Sequence, residues 1–124
     1  MAMQWHFEDR HFAGEGAIGM LQLGGYLGDD ALEQFTGAVD WALAKSEGPI
    51  VIDLTHLLGC SDNGATAIWN AACRIAEHEA GGHRRAVAIS GPGGSLRAVR
   101  DHHERGAPVS IHDDLTQALA ALQS

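Results

Sequence analysis

Long apolar runs, a basic surplus and a framework of paired cysteines are all missing from this chain of 124 residues, and each absence excludes a class of function. Stretches such as Pro49–Ile52 fall far short of the roughly 20 apolar residues that cross a bilayer, so no direct membrane insertion is expected. Eight Lys plus Arg face sixteen Asp plus Glu, a formal charge of −8 with the eight histidines neutral. Nucleic acids and anionic membranes require a concentrated basic face, and this balance disfavours both as partners. Cys60 and Cys73 are the only cysteines, and an isolated pair suits free thiols in a reducing cytoplasm. Met1–His6 has neither a basic start nor an apolar stretch, so no secretory signal is expected. What is present is globular: 45% hydrophobic and 19% charged residues, enough for one core without metal or disulfide. A single domain over residues 1–124 is the expectation.

The sixteen glycines fall mostly between periodic segments and read as turn markers. Trp5–Phe7 and His11–Phe12 read as short strands. Ala17–Leu23 reads as an internal strand, with Ile18, Met20 and Gln22 on one face and Leu21 and Leu23 on the other. Asp30, three residues before Glu33, reads as the cap of a helix whose inner face is Leu32, Phe35, Val39, Ala42 and Leu43. Pro49–Leu54 is an apolar, β-branched run expected as a buried central strand. Ala65, Ile68, Ala72, Ile75 and Ala76 outline a second amphipathic helix, closed by Gly81-Gly82. Ala86–Ser90 reads as a strand, Gly91–Gly94 as a turn, and Ser95 as the cap of a helix bearing Leu96 and Val99. Val109–Ile111 is the last strand, and Asp113 caps a final helix with Leu115, Ala118, Leu119 and Leu122 inward. The order ββαβαβαβα implies an α/β fold, a mostly parallel central sheet with helices. Ligands and partners of such sheets usually meet the carboxyl ends of the strands.

The segment Asp53–Gly64 is the most informative for function, because it leaves the central strand and enters a helix. Ser61, Asp62 and Asn63 are all capping residues, and capping alone accounts for much of the cluster. A phosphate on a hydroxyl here would gain from the helix dipole while adding almost two negative charges. The eight histidines lack the spacing of a zinc site. His102 and His103, if helical, point about 100° apart and read as plain surface residues. His56 and Cys60 lie four apart, which is no evidence of contact, and a small buried thiol is the expectation for Cys60. Gly91–Ser95 lacks the lysine of a phosphate-binding loop, and a tight turn with a cap explains it. Trp41 and Trp69 fall at the edge of their helical stripes, as core edges or as an exposed interaction face. No metal or cofactor is called for.

Ile52-Asp53-Leu54-Thr55 resembles the Asp-Leu-Ser signature of the STAS family, the sulphate transporter and anti-sigma factor antagonist domains. Leu23-Gly24-Gly25-Tyr26-Leu27 resembles that family's Leu-Ser-Gly-Glu-Leu segment, and Asp114–Leu119 its closing helix. The element order agrees from about residue 4 onward, so the resemblance covers nearly the whole chain. It implies a STAS-like domain that binds protein and is not an enzyme: an anti-sigma factor antagonist-like bacterial regulator in the cytoplasm. Its partner would be an anti-sigma factor of the serine kinase type. The implied contact surface is Ser61, Asp62, Asn63 and Gly64 with Gly25, Leu27 and Asp29. In the family the residue before that glycine is the phosphoacceptor; here it is Asn63, which has no hydroxyl, so Ser61 becomes the candidate phosphorylation site. The acidic residue usual after Leu27 is displaced by Gly28 to Asp29. The same fold also serves as an accessory subunit in lipid-transport or signalling complexes, and a homodimer is left open. The competing class is a small-ligand protein or enzyme using the histidines and Cys60, which would show a deep pocket of converging polar groups.

Overall fold

Ile50, Val51, Ile52 and Leu54 offer apolar, mostly β-branched surface on both faces, which is stable only in mid-sheet under helices. They form the first half of β3 (Ile50–Cys60), and all four are fully buried. The computed structural model describes residues 2–11, 16–80, 83–91, 93–104 and 106–123. Before β3 come β1 (Met3–His11), β2 (Ala17–Leu27), a 3-10 turn (Asp29–Ala31) and α1 (Leu32–Lys45). After it come α2 (Asp62–Glu77), a two-residue ribbon of β4 (Glu79–Ala80) and β5 (His83–Arg84), then β6 (Val87–Ser90) and α3 (Gly93–Arg100). The chain closes with β7 (Val109–His112) and α4 (Leu115–Gln123). The sheet order is β1-β2-β3-β6-β7, with β1 antiparallel to β2 and the other pairs parallel. The expected α/β order therefore holds, with the small ribbon added between α2 and β6.

Strand periodicity sorts the core into two layers. Ile18, Met20, Val51 and Ala88 pack beneath α4 around Ala118, with Leu115, Leu119 and Leu122 against them. Leu21, Leu23, Ile50, Ile52 and Ile89 face the other way and join Phe35 and Val39 of α1, Ile68 and Ile75 of α2, and Leu96 and Val99 of α3. Both apolar faces read from Ala17–Leu23 are thus used. At the amino end of the sheet the buried Arg85 leaves Nε and Nη1 without partners among the described residues. Burial pushes its guanidinium pKa down, opposed by Glu47 and Asp9.

Several boundaries differ from expectation for identifiable reasons. β2 runs to Leu27 instead of Leu23, and β3 to Cys60 instead of Leu54, because the extensions pair with each other from Gly24↔His56 to Leu27↔Cys60. Gly24 and Gly25 are therefore strand residues, not a turn. Gly25 has φ +76°, and a Cβ there would lie 2.1 Å from the Ala2 carbonyl oxygen, so the glycine admits the start of β1. β1 is likewise one strand from Met3 to His11, held to β2 along its length; Phe12 lies outside the described residues, as does Gly81-Gly82. Asp30 caps nothing: α1 starts through the 3-10 turn, and its N-cap Ala31 makes no side-chain bond. Ser95 lies buried inside α3, which starts at Gly93. Asp114, not Asp113, caps α4 by accepting from the Gln117 amide at 2.8 Å, while Asp113 pairs with Arg100 at 3.3 Å.

The two helix tryptophans part company. Trp69 is 6% exposed, its ring meeting the His103 ring edge-on at 5.4 Å. Trp41 is 50% exposed, tilted against Trp5 and covered in part by the Lys45 ammonium 4.7 Å from its centre. Trp69→Ala is expected to lower stability by about 3–5 kcal/mol, and Trp41→Ala by about 1 kcal/mol. Urea unfolding with unchanged slopes would show this; equal losses would contradict the assigned burial.

Candidate functional site

Asp53 is buried where the pairing of β3 with β6 ends, and it organises the chain beyond that point. Its Oδ1 accepts from the Thr55 amide at 3.0 Å and the Thr55 hydroxyl at 2.6 Å. Gln22 of β2 and Ser90 of β6 reach the same carboxylate at 3.5 Å. A buried carboxylate needs such donors, and the local bonds to Thr55 coincide with a bulge in β3. The register with β2 steps from Gln22↔Asp53 to Gly24↔His56, one residue extra on β3. A second step, from Gly25↔Leu57 to Tyr26↔Gly59, leaves Leu58 unpaired. Beyond Asp53 the sheet thus becomes a bulged ribbon of β2 and β3 that carries the chain to the start of α2.

The segment expected as a long loop shrinks to Ser61. Its amide donates to the Leu27 carbonyl at 3.0 Å, and its Oγ accepts from the Gly64 amide at 3.0 Å as the cap of α2. The same hydroxyl donates to Asp29 Oδ1 at 2.8 Å, and Asn63 Nδ2 donates to Asp29 Oδ2 at 3.1 Å. One carboxylate from the turn after β2 therefore clasps two side chains at the amino end of α2, where the helix dipole favours negative charge. Gly64 makes this possible. A Cβ at that position would stand 2.3 Å from the Leu27 carbonyl oxygen and 3.2 Å from Cys60 Cβ. Of the residues singled out from sequence, Leu27, Asp29, Ser61, Asn63 and Gly64 meet here; Asp62 is exposed beside them, and Gly25 lies two residues up β2.

The histidine pair is exposed, as read from the sequence, but it does not lie on a helix. His102 and His103 lie in the turn that follows α3, and they border α2: His102 Nε2 is 3.3 Å from Thr66 Oγ1, and His103 meets Trp69. Their adjacency hid this, because the turn after Arg100 lets both rings reach α2. His56 is exposed on β3, and the four strand residues to Cys60 span roughly 13 Å. Cys60 is half-buried; burial first, then the charge of Asp62, pushes its thiol pKa up. Among the described residues no group of three His, Cys, Asp or Glu could hold a metal ion, and no helix is long and apolar enough to cross a membrane.

No family model and no curated protein matches this sequence. Solved structures do. An anti-sigma factor antagonist from Mycobacterium paratuberculosis is similar with a TM-score of 0.73 at 16% identity, over 99% of this chain and 96% of that one. The anti-sigma factor antagonist SpoIIAA in its unphosphorylated form gives 0.52 at 16% identity, over 94% of each chain. A protein from Shewanella loihica PV-4 described as having a SpoIIAA-like fold gives 0.56 at 22% identity, over 98% and 94%. At these identities the likeness establishes the fold: this chain has the α/β architecture of the STAS domains.

The site geometry leads to two expected outcomes. Gly64→Ala should lower stability by about 1–3 kcal/mol, against the gain of up to about 1 kcal/mol that alanine brings to a helix; Ser61→Ala should cost about 1 kcal/mol through the lost cap. Urea midpoints check both, and a stabilising Gly64→Ala would contradict the close approach. The raised thiol pKa means that less thiolate is present at any pH below it, so Cys60 should be alkylated more slowly than free cysteine at pH 8. Asp62→Asn should speed that reaction; iodoacetamide labelling with peptide mapping reads both effects.

Proposed function

We propose that this chain is a regulatory protein-binding module of the anti-sigma factor antagonist kind. It acts in the cytoplasm, where Cys60 and Cys73 remain free thiols, and it binds an anti-sigma factor of the serine kinase type. The binding face is Ser61–Gly64, the first turns of α2, and the β2 end from Gly25 to Asp29. The observation that carries the reading is the clasp in which Asp29 accepts from both Ser61 and Asn63. It fixes the amino end of α2 at the carboxyl edge of the sheet, where a STAS-like module would present its contact surface, and it does so with no modifiable hydroxyl at position 63. Ser61 is the remaining hydroxyl of the segment, but its oxygen already donates to Asp29 and caps Gly64. A phosphate there would remove the proton that Ser61 donates to Asp29 and add its charge beside Asp29 and Asp62. The module is therefore held in a binding-competent state.

The immobilised protein should retain a kinase-type anti-sigma factor from native cell extract. Asn63→Glu places an unmatched charge in the contact and should weaken that binding about ten- to a hundredfold. His6→Gln with His11→Gln on the exposed β1 is the control and should bind normally; the His102–His103 pair cannot serve, because it borders α2. Circular dichroism must show all variants folded. Absence of such a kinase, or retention indifferent to Asn63→Glu, would sink the reading. Incubation with the retained kinase and ATP should leave Asn63 and Ser61 unmodified on peptide mapping.

A further inference from the structure

β3 outruns its neighbour on one side. Its pairing with β6 ends at Asp53↔Ser90, whereas its pairing with β2 continues to Leu27↔Cys60. Past Asp53, β3 is thus a sheet edge on the side of α3 among the described residues, and no backbone hydrogen bond joins Leu57–Cys60 to α3 among them. A groove of about 380 Å³ separates the two, walled by Leu57–Cys60 on one side and by Gly93, Gly94 and Ala98 on the other. At its lip stands Leu58, the residue left over by the second bulge and 72% exposed. Bulges re-aim side chains and end pairing. This one turns a leucine into solvent beside main chain that has no backbone partner on the α3 side among the described residues, a combination that proteins ordinarily cover.

We propose that an extended segment of a partner protein adds to this edge as a strand along Leu57–Cys60 and sets an apolar side chain against Leu58. The inference extends the protein-binding reading above. The main chain names the occupant: a strand paired on one side only turns part of its N–H and C=O groups away from its neighbour, here on either side of the bulge at Leu58, and an extended peptide supplies both complements. A helix face or a lipid tail supplies neither. The wall of Gly93, Gly94 and Ala98 leaves room for the incoming side chains. At the Cys60 end stands the exposed Asp62, whose charge acts on the Cys60 thiol, so the segment carries Lys or Arg at that end.

Heptapeptides displayed on phage and selected against the immobilised full chain provide the probe. Recovered sequences should carry apolar residues at alternate positions and a basic end. In amide NMR spectra the synthetic peptide should shift Leu57–Cys60 and Gly94–Ala98, and Leu58→Asp, an exposed change that leaves the core intact, should weaken it at least about tenfold. N-methylation of every second peptide amide should abolish binding in one register and not in the other. No recovered binder, a footprint elsewhere, or indifference to N-methylation overturns the proposal. The measurement involves no kinase, so its failure stands apart from failure of the anti-sigma reading.

Discussion

The carbonyl of Leu27 is the point on which the candidate site depends. It accepts the Ser61 amide, and its oxygen lies so close to Gly64 that no side chain fits there. This contact sets the height at which α2 begins relative to the end of β2. It thereby determines the position of Asp29 opposite Ser61 and Asn63, the exposure of Asp62, and the half-burial of Cys60 against the first turn. Move the helix by the width of a methyl group and the Asp29 carboxylate no longer spans both donors. Hydrogen bonds of ordinary length can be this selective because each has a rigid element on either side: a parallel strand pair below and a helix held by the core above.

Much of the fold was legible in the sequence, because burial leaves a period. Pro49–Leu54 and Ala17–Leu23 showed two apolar faces, and both faces are occupied, one by α4 and the other by α1 to α3. The helix stripes of Phe35–Val39 and Ile68–Ile75 were equally plain. What was hidden has one physical origin: where backbone pairing, not side-chain burial, holds the chain, periodicity disappears. The extensions of β2 and β3 are bulged and rich in glycine, so they read as turn and loop. The mistaken caps have a related cause. Asp30, Ser95 and Asp113 are good capping types, yet α1 starts through a 3-10 turn with no side-chain cap, α3 starts two residues before Ser95, and at α4 it is Asp114 that accepts; proximity along the chain does not say which oxygen will face the free amides.

The site was legible in part. Ser61–Gly64 was marked by its capping residues and by the STAS resemblance, and Asp29 by its displacement from the family position. That these would be joined across more than thirty residues could not be read, since nothing in local spacing reports a contact made by sheet register. Their joining gives the displacement a chemical meaning. In this chain the carboxylate comes from the turn after β2, and the hydroxyl and the amide come from the start of α2. The histidines show the converse. Their pattern offered no ligand geometry, but the turn after α3 lays them along α2, beside Thr66 and Trp69, on the flank of the proposed contact surface.

The sheet itself explains why exposure concentrates where it does. Up to Asp53 β3 has strands on both sides and helices on both faces, and nearly every side chain is committed to the core. Past Asp53 it keeps only β2, and the chain becomes a ribbon with an edge. A ribbon of two strands cannot bury both of its faces, so Tyr26 and Leu58 are left 41% and 72% exposed within a few residues of the clasp. Asp53, whose carboxylate gathers donors from β2, β3 and β6, marks the line between the two regimes. Before it every residue of β3 is buried; past it Leu54 and Leu57 still face the core, while Thr55, His56 and Leu58 are exposed and can vary the surface chemistry. A binding face built there can change its partner without altering the core.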